Sequence, residues 1–230
     1  MSKAARIATA AASLMVVAGA AVAAPAPGFS LAAQTPRFSF YSRGAKVDAD
    51  KSERYLAKVE QVLGARFDGH AEYYRYESPS EVAVATGNYA EGVTLPGQKQ
   101  IHSAHGFHAH EIVHLLAAQL GNPGALFHEG LAVVLGNDGK WGGKDVDGIA
   151  KRALKGRDAL RVLAHFDSIP TEVSYPLAAS FVRSLAEHHG MAKLADFFRA
   201  CPQPGQRDAA FQETFGTSYA QAVTTWAQAL

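Results

Sequence analysis

The stretch from His110 to His114 reads H-E-x-x-H, and it constrains the chain more than any other feature of the sequence. In a helix, two histidines four residues apart lie about 40° apart around the axis, one turn above the other, so both imidazoles can reach one ion. Glu111 then lies beside that ion. Two neutral imidazoles that hold a metal, with a carboxylate that takes a proton from metal-bound water, form the arrangement of zinc hydrolases. We therefore predict His110 and His114 as zinc ligands and Glu111 as the catalytic base.

The residues around the motif favour a buried helix with one polar stripe. The positions between and after the histidines are apolar: Ile112, Val113, Leu115 and Leu116. Burying Glu111 without a metal or hydrogen-bond donors would cost several kcal/mol. A zinc ion supplies the partner that this carboxylate needs.

A second apolar helical run, residues 127–135, carries Glu129 near its start. The segment 122–124 reads Asn-Pro-Gly and predicts a tight turn, so the two helices lie side by side and bring Glu129 back to the histidines. Because a catalytic zinc usually has three protein ligands and one open position for water, we assign Glu129 as the third ligand of one zinc per chain. His128 points about 100° away from Glu129 and is a candidate for orienting substrate, not a ligand.

With these residues in place, the chain resembles the gluzincin branch of zinc metallopeptidases, and most closely the short bacterial proteins described as peptidase MA-like domains. The resemblance rests on H-E-x-x-H followed by a helix that contains E-G-L-A at 129–132, and it covers roughly residues 38–230. Further similar segments occur in the order that the family shows: Phe38-Ser39-Phe40, Ala71–Tyr76, Ser80-Glu81, Gln100–Ser103, Tyr175–Val182 and Trp226.

The resemblance implies a thermolysin-like zincin core and a peptidase activity. In similar peptidases a Tyr or His from the C-terminal lobe donates a hydrogen bond to the developing oxyanion, and Tyr175 is the candidate here; the alternative is an aromatic that only packs on the core. The edge run Gln98–Ala104 would pair with an extended substrate, or is simply an exposed sheet edge. The chain has Leu126 and Val134 where the family often has aromatic residues, so no substrate preference is carried over.

The pattern of apolar residues predicts an α+β fold. Short extended runs near 37–42, 70–76, 91–95 and 99–104 predict a small sheet, and 47–67 predicts an amphipathic helix that covers it. The chain then divides into a sheet lobe at about 38–105, the metal helices at about 106–136, a surface loop at 137–148 and a helical lobe at about 149–230. The cleft between the two lobes would hold substrate.

The N-terminal segment has the pattern of a signal peptide. Lys3 and Arg6 precede an apolar run from Ile7 to Ala20, and Ala21-Val22-Ala23 predicts cleavage before Ala24. The alternative is an uncleaved membrane anchor. We therefore expect residues 1–23 to be removed on export to the periplasm or medium, and the Pro-, Ala- and Gly-rich residues 24–37 to be a flexible lead-in.

Composition and charge narrow the classes of function that remain. A net charge of +1 gives no electrostatic case for nucleic acid or an anionic membrane surface. Cys201 is the one cysteine, so an internal disulfide is excluded and an inert thiol is favoured over a catalytic one. Asp145 and Asp147 offer too few oxygen ligands for a calcium loop.

Three more histidines precede the motif: His102, His105 and His108. They are either an auxiliary metal site and contacts to the zinc ligands, or solvated loop residues, which we favour.

The sequence thus favours a secreted zinc-dependent peptidase that acts on a peptide or protein. Two other classes remain open: a zincin-fold binding module with little turnover, and a histidine-rich periplasmic metal-binding protein. Glu111 argues against both, because neither zinc storage nor simple binding needs an acidic base beside the ligands.

Overall fold

A computed structural model describes residues 27–230 of the chain. The predicted signal peptide, residues 1–23, lies outside the described residues. The N-terminal part runs β1 Ser30–Gln34, β2 Phe38–Ser42, α1 Ala49–Leu63, β3 Ala71–Arg75, α2 Pro79–Thr86, β4 Gly92–Leu95 and β5 Gln100–Ser103. The C-terminal part runs α3 Ala109–Leu120, α4 Ala125–Gly136, β6 Lys140–Trp141, β7 Lys144–Asp145, α5 Val146–Leu154, α6 Ala159–Leu163, α7 Thr171–His189, α8 Met191–Ala200, α9 Arg207–Phe215 and α10 Tyr219–Ala229. This order confirms the predicted α+β class.

The N-terminal strands β1–β5 form one mixed sheet in the order β1-β2-β3-β5-β4. The three central strands are parallel, and β1 and β4 pair antiparallel at the two edges. Side chains alternate between the faces: Phe40 and Tyr73 enter the main core with α1 and α3, whereas Tyr41 and Tyr74 pack with Val82 of α2. Helices therefore cover both faces of the sheet.

The sequence predicts an edge strand at Gln98–Ala104, and this prediction is wrong. The strand in that segment, β5, lies between β3 and β4, and β4 is the edge. The sequence also predicts an extended run at 91–95, but the alternation of side chains does not indicate which neighbour a strand pairs with. The short turn at Pro96–Gln98 folds β5 back beside β4, and the parallel pairing of β5 with β3 leaves β4 outermost.

The predicted flexible lead-in is also wrong in part, because residues 30–34 form β1. This strand pairs with β2 through contacts such as Leu31 with Tyr41, interrupted by a bulge near Ala33. Most of its residues are exposed, so it lacks the apolar alternation by which a strand is recognised in sequence. Pairing with β2 holds it in the sheet, and Ala33 packs against the main core.

The helical part packs onto the other side of the metal helices. Phe127 of α4 contacts a group of aromatic side chains from the later helices: Phe181, Phe197, Phe211 and Tyr219. The buried Nε1 of Trp226 donates to Ser180 Oγ at 3.0 Å. Cys201 is fully buried, in keeping with an inert thiol. None of the helices in residues 27–230 is long and apolar enough to cross a membrane.

A partly buried ion network fixes α1 to the start of β2. Arg37 Nε donates to Glu53 Oε1 at 2.6 Å, Arg37 Nη2 donates to the main-chain oxygen of Glu53 at 3.0 Å, and Nη1 contacts Glu60. Burial on its own raises the pKa of both carboxyl groups, but hydrogen bonds outweigh it: those from Thr35 and Arg37 at Glu53, and those from Arg37 and the Phe67 amide at Glu60. The pKa of each carboxyl therefore lies below its usual 4.5.

We expect Arg37→Met to lower the free energy of unfolding at pH 7 by about 2 kcal/mol, because charge-assisted hydrogen bonds to two carboxylates are lost. Carboxyl groups with a lowered folded pKa stabilise the fold above their unfolded pKa, and that stability disappears as the pH falls through the folded pKa. The unmodified chain should therefore lose more stability than the variant between pH 5 and pH 3 in urea titrations. Arg54→Met, which alters an exposed arginine of the same helix, is the control. Equal acid dependence in all three proteins would contradict the assignment.

Candidate active site

Helix α3 carries the three residues of the H-E-x-x-H motif. The loop between β5 and α3 is anchored by Tyr73, whose hydroxyl donates to the main-chain oxygen of His105 at 2.7 Å, and by the amide of Asp48, which donates to Gly106 O at 2.8 Å. The apolar residues between the histidines are fully buried against the sheet and neighbouring helices. This packing leaves the polar stripe of α3 at the surface of a cleft, as the motif predicts.

Helix α4 approaches α3 and α7 at two glycines. A Cβ on Gly136 would lie 2.6 Å from Cα of His110, and a Cβ on Gly130 would lie 2.7 Å from the main-chain oxygen of Ala178 on α7. Only a residue without a side chain allows backbones this close. The two contacts set the position of Glu129, one residue before Gly130, relative to α3.

The structure brings His110, His114 and Glu129 together. The two Nε2 atoms are 3.0 Å apart, and Glu129 Oε2 lies 3.2 Å from Nε2 of His110 and 3.3 Å from Nε2 of His114. Ligand atoms at the corners of a tetrahedron around zinc are about 3.3 Å apart when the bonds are about 2.0–2.1 Å long. Two imidazole nitrogens and one carboxylate oxygen at these separations therefore fit a zinc ion.

The ring of His110 is oriented by Asn137, which follows α4. Nδ1 of His110 lies 3.3 Å from Asn137 Oδ1. A proton on Nδ1 that is donated to this oxygen leaves the lone pair of Nε2 for a metal. Sequence reasoning missed Asn137, because an asparagine at a helix end is ordinary and nothing in its spacing points to His110.

Glu129 is ionised in this setting. Burial by itself raises the pKa of its carboxyl, but hydrogen bonds with His110 and His114 outweigh the burial and hold the pKa well below its usual range. An anionic carboxylate is the form that binds a metal.

Glu111 lies beside the three candidate ligands and is only 5% exposed. The hydroxyl of Thr94, on β4, is 2.8 Å from Glu111 Oε2. This contact joins residues of the edge strand and the metal helix. Sequence reasoning also missed Thr94, since threonine is common in strands and β4 carries no motif.

Tyr175 lies in the second turn of α7, next to the candidate ligands. Its ring is parallel to that of His110, with 6.2 Å between the ring centroids. Burial raises the pKa of the phenol, and the nearby carboxylate of Glu129 raises it further, so the hydroxyl keeps its proton at neutral pH. Tyr175 is therefore in place to act as a hydrogen-bond donor in the cleft.

Within the segment 137–148, which the sequence predicts as a surface loop, residues 140–145 form a β6–β7 hairpin and α5 begins at Val146. Trp141 in this hairpin packs on Tyr175 with 5.2 Å between the ring centroids. Arg183 of α7 binds Asp145 through two hydrogen bonds of 2.9 and 3.1 Å and also contacts Asp147. Arg183 thus joins the end of the hairpin at Asp145 and the start of α5 at Asp147 to α7.

The remaining histidines of the region have separate surroundings. His102 is buried in β5 on the face away from α3, beside Tyr76, whose hydroxyl is 2.9 Å from Nδ1 of His102. His105 is exposed and its Nε2 lies 3.1 Å from Glu91 Oε2. His108 and His128 line the cleft, and burial lowers the pKa of each to about 4.

The preferred prediction of three solvated loop histidines is therefore wrong for His102, which is part of a strand, and for His108, which is partly buried. Within residues 27–230, His110, His114 and Glu129 are the one group placed to hold a metal ion.

A cleft of about 1010 Å³ opens in front of the candidate ligands. It is lined by the loop and strand from Asn88 to Thr94 and by Trp141, Thr171 and Tyr175. Such a volume is at the upper end for sites that bind small molecules or peptide segments. The site is therefore accessible to a ligand much larger than water.

Comparisons with known proteins give only distant likenesses, among solved structures. No protein-family model matches the chain, and no curated protein matches it. A mutant of the M1 zinc metallopeptidase from Deinococcus radiodurans, known from a crystal structure, is similar at a TM-score of 0.48 and 13% sequence identity. The similarity covers 88% of this chain and 51% of that one, so the chain spans about half the length of that structure. At this distance, neither the fold nor the activity of that protein is transferred to the chain.

We expect Gly136→Ala to weaken zinc binding about 10- to 100-fold, the range seen when groups that support metal ligands are disturbed. The added Cβ would separate α4 from His110 and pull Glu129 away from the imidazoles. Chelator competition measures the affinity. Gly148→Ala in α5 is the matched control, because its Cβ would meet only Arg152 Nη1 at 3.6 Å. Replacing glycine by alanine raises the helix propensity at both positions by about 1 kcal/mol, so this effect is the same in the variant and in the control. An unchanged zinc affinity in Gly136→Ala would refute the role of the close contact.

Proposed function

We propose that the chain is an exported zinc-dependent peptidase of the gluzincin type, which hydrolyses peptide bonds. The observation that carries the proposal is the convergence of His110, His114 and Glu129 at zinc-ligand separations, with the carboxylate of Glu111 beside them in an open cleft. A structural zinc site is closed by four protein ligands, whereas three ligands at a cleft leave one position for water or substrate.

Three side-chain atoms would hold the zinc ion. Nε2 of His110 and of His114 and Oε2 of Glu129 would bind it, and Asn137 would keep His110 in the tautomer that presents Nε2. When bound, zinc polarises a carbonyl group and lowers the pKa of a water molecule. The ligand set has one negative charge, so a divalent ion together with its three ligands would keep a net positive charge, and the Glu111 carboxylate lies beside it.

Glu111 would serve as the general base. Its carboxylate takes a proton from the attacking water and then passes the proton to the nitrogen of the leaving amine. A carboxylate with no basic side chain paired to it in residues 27–230 is free to accept that proton. A protein that only stores or binds zinc has no use for such a group.

Tyr175 would stabilise the negative charge that develops on the carbonyl oxygen. Its raised pKa keeps the phenol protonated, and the packing against Trp141 limits the movement of its ring. A donor held in place before the reaction stabilises the transition state without the cost of reorganisation.

The edge strand β4 is the surface along which an extended peptide would lie. It lines the cleft from Gly92 to Thr94, and the side that does not pair with β5 lies at the edge of the sheet. Main-chain hydrogen bonds to such an edge align a peptide with little demand on its side chains. A peptide or protein substrate fits this wall of the cleft.

Export is proposed from the N-terminal sequence alone. The basic start, the apolar run and Ala21-Val22-Ala23 are the pattern of a cleaved signal. The N-terminus of protein recovered from the periplasm or medium tests this directly, and a start other than Ala24 would refute the cleavage site.

We expect Glu111→Gln to bind about one zinc per chain, as the unmodified protein does, and to hydrolyse no member of a quenched-fluorescence peptide library. The amide keeps the shape of the carboxylate but cannot accept the proton. Metal analysis after dialysis and the rate of fluorescence increase are the two measurements. Zinc in both proteins without hydrolysis in either would favour a binding module. An unmodified protein without zinc would overturn the ligand assignment.

Replacing Tyr175 by Phe should lower kcat by about 10²- to 10³-fold while KM changes little, because the hydroxyl acts only on the charge of the transition state. Steady-state kinetics on a peptide selected from the library give both constants. Tyr219→Phe, which alters a tyrosine that packs on Phe127 in the helical part, is the control. A Tyr175→Phe enzyme with unchanged kcat would assign Tyr175 to packing alone.

A further inference from the structure

We infer that Thr94 is the positioning residue that orients the general base through a hydrogen bond from the edge strand. The inference rests on the proposed function, since it concerns how Glu111 is held for that reaction. Thr94 would touch neither the ion nor the reacting atoms.

The hydroxyl of Thr94 is within hydrogen-bonding distance of two oxygens of the same residue. Oγ1 lies 2.8 Å from Glu111 Oε2 and 2.9 Å from the main-chain oxygen of Glu111. A threonine hydroxyl has one hydrogen, so it donates to one oxygen at a time. The carboxylate is the stronger acceptor because it is charged, and the hydrogen is therefore assigned to Oε2.

Among the described residues, Thr94 is the one side chain that donates a hydrogen bond to this carboxylate. Glu111 is otherwise 5% exposed, and no lysine or arginine forms an ion pair with it in the same part of the chain. A glutamate side chain has three rotatable bonds, so a fixed Oε2 removes most of its freedom. The second oxygen, Oε1, has no protein partner in residues 27–230 and is left to accept a proton.

The contact exists because β4 runs unusually close to the first turn of α3. A Cβ on Gly92 would lie 2.7 Å from Cγ of Glu111 and 2.4 Å from Nδ1 of His108. Gly92 and Thr94 are two residues apart on a strand and so face the same side, while Val93 packs on the opposite face with the Tyr41 and Tyr74 cluster. Glycine at 92 lets the strand approach, and threonine at 94 then reaches the carboxylate.

The contact between Thr94 and Glu111 couples the position of a bound peptide to the position of the general base. The strand along which a peptide would lie also holds the group that activates the attacking water. The distance between the aligned peptide and Glu111 is thereby set by one short segment, Gly92–Thr94. Precise placement of a base relative to bound substrate is worth large factors in rate.

Two substitutions at 94 separate the hydroxyl from the shape of the side chain. Thr94→Val keeps the size and the preference for a strand but removes the donor, whereas Thr94→Ser keeps the donor. We expect kcat to fall about 10- to 100-fold in the valine variant and to stay near the unmodified value in the serine variant. KM and zinc content should be unchanged in both. Thr224→Val is the control, because Thr224 is an exposed residue of α10 whose hydroxyl donates to Ala220 O.

A kcat in Thr94→Val equal to that of the unmodified enzyme would overturn the inference, and so would a loss that serine does not rescue. Crystal structures of the zinc-loaded unmodified, valine and serine proteins give a readout that does not depend on turnover. We expect the Glu111 carboxylate to leave its position only in the valine variant, and an unmoved carboxylate there would also overturn the inference. An unmodified protein that hydrolyses nothing would refute the proposed function, while these structures would still decide whether Thr94 holds Glu111.

Discussion

The candidate site depends on how closely α4 packs against the two helices beside it. Gly136 brings α4 against His110, and Gly130 brings the same helix against Ala178 of α7. Glu129 directly precedes Gly130, and its carboxylate meets the two imidazoles at 3.2 and 3.3 Å. Backbones that approach this closely can slide or separate only at the cost of buried contacts, because protein interiors are packed like crystals. The position of the third ligand is thus a property of helix packing.

The same packing brings functional side chains from the two parts of the chain to one cleft. The N-terminal part supplies β4, while the C-terminal part supplies the residues of α3, Glu129 and Tyr175. Trp141 on the β6–β7 hairpin supports Tyr175, and Arg183 holds the hairpin to α7. Groups on packed helices and strands are held more rigidly than groups on open loops. The reacting groups proposed here all lie on such elements.

The two carboxylates of the site, Glu129 and Glu111, have different electrostatic surroundings. Glu129 meets two imidazoles, which keep its pKa low, whereas Glu111 meets one hydroxyl from Thr94. His108 and His128 are neutral at physiological pH because burial lowers the pKa of each to about 4. Two groups of the same type in different surroundings can take different roles, one as ligand and one as base. The neutral histidines add polar lining without competing as cations.

Periodicity in the sequence by itself determined the helix that carries His110, Glu111 and His114, the return of Glu129 after the turn at 122–124, and four of the strands of the main sheet. These features follow from contacts between residues that are close along the chain, and local spacing records them. Tertiary structure alone decided that β4 is the edge, that residues 30–34 join the sheet, and that Thr94, Asn137 and Trp141 surround the site. Each of these depends on a partner from another element, such as Thr94 with Glu111. The residue type by itself does not indicate which partner a side chain will contact. Strand order and side-chain encounters are fixed only when the whole apolar surface is buried at once.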